Sequence, residues 1–144
     1  MGKPFKSILA ADTSIPIYTA SITPNGIACA AEIADGFFPI WMNPERYHVF
    51  AESVQKGLDK SSRTSDQFNI SPFVIANMGD DLDACRRPVK ANLALYIGGM
   101  GAREKNFYND YAVKMGYEEE ASIIQDLYLG GKKLKPWLLC LIHW

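Results

Sequence analysis

Ser21-Ile22-Thr23-Pro24-Asn25 sets two small hydroxyl side chains and a carboxamide within five consecutive residues. These types suit a helix start, with Thr23 as N-cap and Pro24 at the first helical position. A helix N-terminus presents unpaired backbone N–H groups and the positive end of the helix dipole, so hydroxyls there can complete a cradle for a phosphate. The same residues also read as a capped helix that binds nothing. The stretch lacks the Gly and Lys of a P-loop and the Gly-x-Gly of a dinucleotide fingerprint.

The other chemistry-bearing residues are scattered. Cys29, Cys85 and Cys140 are far apart and form no C-x-x-C, which reads as reduced thiols of a cytoplasmic protein. His48 and His143 have no metal-ligand spacing, and His48 falls on a solvated helix face. Glu32 and Asp35 read as helix-end solvation and packing contacts, and Glu118-Glu119-Glu120 as a solvated helix start. The 144 residues carry a net charge of −1, which gives no footprint for nucleic acid. The longest strictly apolar run is Trp137–Ile142, too short to span a membrane. A hydrophobic content of 48% supports one domain with a core.

The elements that position the hydroxyls form a strand–helix–strand unit over Ile15–Trp41. Ile15, Ile17 and Thr19 alternate as a buried strand; Ile27, Ala30, Ala31 and Ile33 recur at helical spacing; Asp35-Gly36 stops the helix. Phe37, Phe38, Ile40 and Trp41 make a second strand, and a unit so tightly connected has parallel strands. Met1–Ser14 before it reads as loop. Asn43-Pro44-Glu45 starts a helix with Tyr47, Phe50, Ala51 and Val54 on one face, ended by Gly57, and Leu58–Gln67 follows as a connection. Phe68–Gly79 is a third strand, regular over Phe73–Met78 because Ser71-Pro72 interrupts it. Asp80 and Asp81 cap a helix carrying Leu82, Cys85, Val89, Leu93 and Tyr96, which Pro88 should kink or divide. Gly98-Gly99-Met100-Gly101 breaks the pattern, as a close approach to a ligand or as a hinge. Helices then cover Asn106–Met115, with Phe107, Tyr111 and Met115 on one face, and the segment from Glu118 to Gly130-Gly131, with Ile124, Leu127 and Tyr128 buried. The class is α/β with about three parallel strands, too few to close a barrel.

Several of these stretches resemble one family. They are IPIYTASITPNGIACAAEIADGFFPIW, the segment from FNISPFVIANMG through NFYNDYAVKMGY to LGGKK, and the lead-in GKPFKSI. They are similar to the C-terminal half of luciferase-like monooxygenases, in the branch of deazaflavin-dependent oxidoreductases that use coenzyme F-420 and include methylenetetrahydromethanopterin reductase-like enzymes. The resemblance covers residues 2–133 and implies part of a TIM (β/α)8 barrel, with the coenzyme at the C-terminal ends of the strands. It also implies hydride transfer between deazaflavin and a small organic substrate. Tyr18–Phe38 would hold the fifth and sixth strands, and Phe68–Met78 the seventh. The loop of Ala20, Ser21, Ile22, Thr23 and Asn25 would contact the phosphate-bearing tail of the coenzyme. The family usually has Gly-Pro where this chain has Thr23-Pro24, and the Thr hydroxyl could supply a donor instead. Trp41 and Met42 would lie near the substrate mouth. The Gly98–Gly101 turn and Asn106–Tyr108 would sit beside the pocket. FMN is the alternative coenzyme, since a phosphate cradle serves either.

The first four strands, which in the family carry the acid/base groups, have no counterpart in these residues, so no catalytic residue is assigned. Residues 134–144, LKPWLLCLIHW, depart from the family pattern. For one choice of codons, dropping two bases turns this tail into Glu-Ala-Met-Ala-Ala-Val-Pro-Asp-Ser-Leu, which fits the family; resequencing the coding DNA tests that shifted frame. The competing expectation is a truncated, inactive product that forms homo-oligomers or aggregates through open sheet edges.

Overall fold

Three short strands, β1 (Tyr18–Ala20), β2 (Gly36–Phe38) and β3 (Asn69–Ile70), pair in parallel in the order β1-β2-β3. Tyr18 faces Gly36 and Phe37 faces Ile70 across the register. The computed structural model describes residues 8, 10, 12 and 14–132. Most of the lead-in Met1–Ser14 and the whole tail Leu134–Trp144, including Trp137–Ile142 and His143, lie outside the described residues.

Strand alternation sends neighbouring side chains to opposite faces. Phe37 is fully buried, stacks on Phe68 at 5.8 Å and meets Phe50 at 6.0 Å. Phe38 points to the other face, beside Tyr18 at 5.2 Å, and is exposed. Helices cover the Phe37 face. They are α1 (Pro24–Ile33), α2 (His48–Ser61), α3 (Leu82–Gly99), α4 (Phe107–Lys114) and α5 (Glu118–Leu129). Each start has a local cause. Thr23 caps α1 with Pro24 next, Asp81 accepts from Asp83 and Ala84 N–H, and Asn106 accepts from Tyr108 and Asn109 N–H. Gly116 and Gly131, both with positive φ, close α4 and α5. The class is α/β with three parallel strands, as the sequence predicts.

Several expectations give way to tertiary causes. Ile15 and Ile17 are exposed, because β1 is the sheet edge and starts at Tyr18. Ile33 is exposed at the end of α1, turned away from the buried stripe of Ile27, Ala28, Ala30 and Ala31. Gly57 does not end α2. It is buried inside it, and the helix stops at Ser62, whose φ is 55°.

The third strand precedes Ser71-Pro72 rather than following it. Ser71 N–H donates to Phe37 O and Phe73 N–H to Pro39 O, so pairing continues across Pro72 and ends at Phe73. Among the described residues the segment 74–78 has no strand beside it, because the chain after β2 turns away at Trp41. Pro88 leaves α3 unbroken as one helix. Its missing N–H strands the Ala84 carbonyl, but Ala84 and Pro88 are both exposed, so water can take that bond. Gly98 and Gly99 are the last turn of α3, not a hinge, and pack against the Tyr128 ring of α5. Phe107 and Leu82 are exposed, although Tyr111 and Met115 on the same predicted face as Phe107 are buried.

Candidate functional site

Because the strands are parallel, the loops after β1, β2 and β3 emerge at one end of the sheet. Ligands of open parallel sheets and of barrels bind at that end. The five residues singled out in the sequence occupy it. Ala20 ends β1. Ser21 Oγ accepts from Thr23 N–H at 3.2 Å and lies 3.4 Å from Thr23 Oγ1, which accepts from Gly26 N–H at 3.3 Å. Pro24 has no N–H, so Asn25 supplies the one first-turn N–H that these hydroxyls leave unengaged. The hydroxyl pair is therefore largely committed to the helix itself.

What surrounds that turn was not legible in the sequence. Ile22, Thr23 and Pro24 line a cleft of about 270 Å³ with Phe107, Asp110 and Lys114. Pro24 and Asn25 line a second, of about 260 Å³, with His48, Glu52, Lys56 and Lys114. Lys114 borders both. Two lysines and a histidine thus stand around a positive helix end, offset by Glu52 and Asp110. Lys56 and Lys114 come from α2 and α4, and no spacing in the chain announces their meeting. Ala20 and Ser21 line neither cleft.

The carboxylates near this unit are engaged at the opposite end of the sheet. Glu32 pairs with Lys60 at 2.9 Å, and Asp35 Oδ2 accepts from Ile17 N–H at 2.7 Å where β1 and β2 begin. Among the described residues, no group of three or more His, Cys, Asp or Glu could hold a metal ion.

A third cleft, of about 280 Å³, lies past the ends of β2 and β3, lined by Trp41, Met42, Phe73, Val74 and Leu93 among others. Trp41 is not in a strand: its φ is 52°, and its ring packs edge-on to Tyr96 at 5.4 Å and against Tyr108 at 5.7 Å. Tyr108 so reaches this region through Trp41, whereas Gly98 and Gly99 face Tyr128.

Tyr111 ties this end to the core. Its hydroxyl donates to Ile40 O at 3.0 Å, and burial raises its phenol well above the usual tyrosine range. The folded state therefore keeps a proton that the unfolded chain releases above about pH 10. That contribution is intact below about pH 10 and is lost as pH climbs toward the folded value, at up to about 1.4 kcal/mol per pH unit. Urea midpoints measured from about pH 8 to about pH 11 should fall less steeply for Tyr111→Phe than for the unmodified chain.

Comparisons with known proteins agree on one family. The family model described as luciferase-like monooxygenase matches residues 3–138. A Mycobacterium tuberculosis protein, provisionally assigned as a coenzyme F-420-dependent oxidoreductase, is 35% identical over 133 residues, covering 91% of this chain and 38% of that protein. The 5,10-methylenetetrahydromethanopterin reductase of Archaeoglobus fulgidus is 28% identical over 86 residues, covering 60% of this chain and 26% of that enzyme. The chain thus spans well under half the length of these relatives. Among solved structures, the coenzyme F-420-dependent tetrahydromethanopterin reductase of Methanopyrus kandleri superposes with a TM-score of 0.66 over 88% of this chain and 35% of that one, at 20% identity. That likeness is one of fold, and it makes the three strands part of a TIM barrel.

Proposed function

Because this chain belongs to the luciferase-like monooxygenase family, we propose that it forms the coenzyme-tail-holding part of a deazaflavin-dependent oxidoreductase whose substrate is a small organic molecule. The observation that carries this reading is the N-terminus of α1, set at the ligand-binding end of the sheet with Lys56, Lys114 and His48 around it. The dipole end and Asn25 N–H favour an anion, and the lysines add charge without burying it. Ile22, Thr23, Pro24 and Asn25 shape the floor, and Ser21 fixes the Thr23 rotamer by its hydrogen bond. Bound coenzyme F-420 would supply the hydride chemistry. The donor set fits the phosphate and carboxylates of such a tail better than it fits the ring.

Titrating the purified chain with coenzyme F-420 and following the coenzyme fluorescence tests this. Saturable binding is expected, weakened about five- to tenfold by Lys114→Ala and by raised salt, as loss of a charge-assisted contact implies. Saturable binding of FMN that F-420 cannot displace would move the assignment to the FMN-dependent members. No binding of either at high micromolar coenzyme would overturn it.

A further inference from the structure

We propose that the first half of α3 is a homodimer surface, on which the same helix of a second copy packs antiparallel about a two-fold axis between Cys85 and Arg86. This surface is distinct from the open sheet edges and does not depend on the coenzyme reading. Three observations converge on it.

The first is an unpacked arm. The buried residues of α3 are Leu93, Ala94, Ile97 and Gly98, whereas none from Leu82 to Ala91 is buried. A stretch of helix about 15 Å long thus stands clear of the core. Pro88 removes a ladder hydrogen bond within it, and a helix owes most of its stability to the packing of one face. That face is present and bare. Leu82 is 62% exposed, and Val89 follows it at i+7. Phe73 and Val74, 56% and 72% exposed, share a groove with Val89. The second observation is the charge pattern. Asp80, Asp81 and Asp83 open the arm, and Arg86, Arg87 and Lys90 follow, three charges of each sign. A partner of one sign would be repelled by half of them, and a parallel copy would set like against like. An antiparallel copy sets acids against bases. The third is that these charges are scarcely used within the chain. Asp83 and Arg86 are 3.4 Å apart and both well exposed, and Arg87 and Lys90 have no ion pair among the described residues. With the axis between Cys85 and Arg86, Leu82 meets Val89 of the second copy. Asp83 shares one flank of the helix with Arg86 and Lys90, at i+3 and i+7. It then lies about 3 Å along the helix from each of those two cations in the second copy. Two-fold pairing repeats every contact and closes the surface, so association stops at two.

The test is sedimentation velocity of the full chain from about 2 to about 200 μM, in about 50 mM and about 500 mM salt. A monomer–dimer equilibrium with no larger species is expected. Its Kd should be on the order of tens of micromolar, because so small an interface falls below the standard size. High salt should raise that Kd about threefold or more. Asp83→Lys, and separately Arg86→Glu together with Lys90→Glu, should each raise it at least about tenfold. Combining the three substitutions inverts every pair and should return the Kd to within about threefold of the unmodified chain. Circular dichroism checks that each variant folds. If one does not, the salt series on the unmodified chain decides alone, and a Kd that does not rise with salt overturns the proposal. A monomer at every concentration overturns it as well. So does a dimer that ignores the charge reversals, which would place the contact elsewhere, such as at the sheet edges. A chain that dimerises only once residues 134–144 are deleted also overturns it, because the tail would then be what covers the arm.

Discussion

Gly57→Ala is expected to lower the unfolding free energy by about 2 kcal/mol, and Gly57→Val by at least about 3 kcal/mol. Helix propensity alone points the other way, since Ala in place of Gly inside a helix gains about 1 kcal/mol. The packing decides. A Cβ on Gly57 would come 2.2 Å from the Ala28 carbonyl oxygen and 2.6 Å from the Ala31 Cβ. The first is backbone and the second has no rotamer to change, so α1 and α2 must separate. Separation uncovers Phe50, Val54 and Leu58 along α2 and Ile27 and Ala31 along α1, all buried. A midpoint shift of about 1 M urea would report the Ala loss at an ordinary denaturant slope. Gln55→Ala, on the exposed side of α2, should stay within about 0.5 kcal/mol. A stabilised Gly57→Ala would mean that the two helices do not approach this closely.

That position also marks the boundary of what the residues reveal on their own. Gly57 reads as a helix stop because glycine commonly ends helices, and nothing near it discloses that Ala28 and Ala31 lie against it. Signals satisfied within one turn were legible: Thr23-Pro24 and Asp81 as caps, and Gly116 and Gly131 as stops. Signals whose meaning depends on a distant partner were not. Phe73–Met78 has strand-like composition, yet its ladder ends at Phe73, because the chain beside it turns off at Trp41. Trp41 itself looks like the last apolar residue of a strand, and its left-handed backbone leaves no trace in the pattern. The candidate site divides the same way. The hydroxyl turn was visible, whereas Lys56 and Lys114 reach it from other helices. The family resemblance, carried by long stretches rather than by any one residue, anticipated the parallel α/β class and the branch of its relatives.

Asn106→Ala should cost about 2–3 kcal/mol, a large loss for a single amide. Asn106 is 2% exposed and joins two helices. Its Oδ1 accepts from Tyr108 and Asn109 N–H at the start of α4, and its Nδ2 donates to Tyr96 O and Ile97 O near the end of α3. Removing the cap costs about 1 kcal/mol. Ile97 O keeps a second donor, Asn109 Nδ2 at 3.2 Å, so the further cost falls mainly on Tyr96 O, at about 1–3 kcal/mol for a desolvated group left unmatched. Asn106→Asp separates the two roles. The carboxylate can still cap α4, but it turns a second acceptor toward the α3 carbonyls, so at neutral pH this variant should be no more stable than Asn106→Ala. Burial and those carbonyls raise the new group's folded pKa above its unfolded value of about 3.9. Its protonated form is thus the stabilising one, fully effective below about pH 3.9 and lost as pH rises through the folded value. Relative to Asn106→Ala, the Asp variant should therefore gain stability as pH falls from about 7 toward about 4, read from urea midpoints of both chains. A flat difference over that range would show that Tyr96 O does not need the donor, and that the cap alone accounts for the loss.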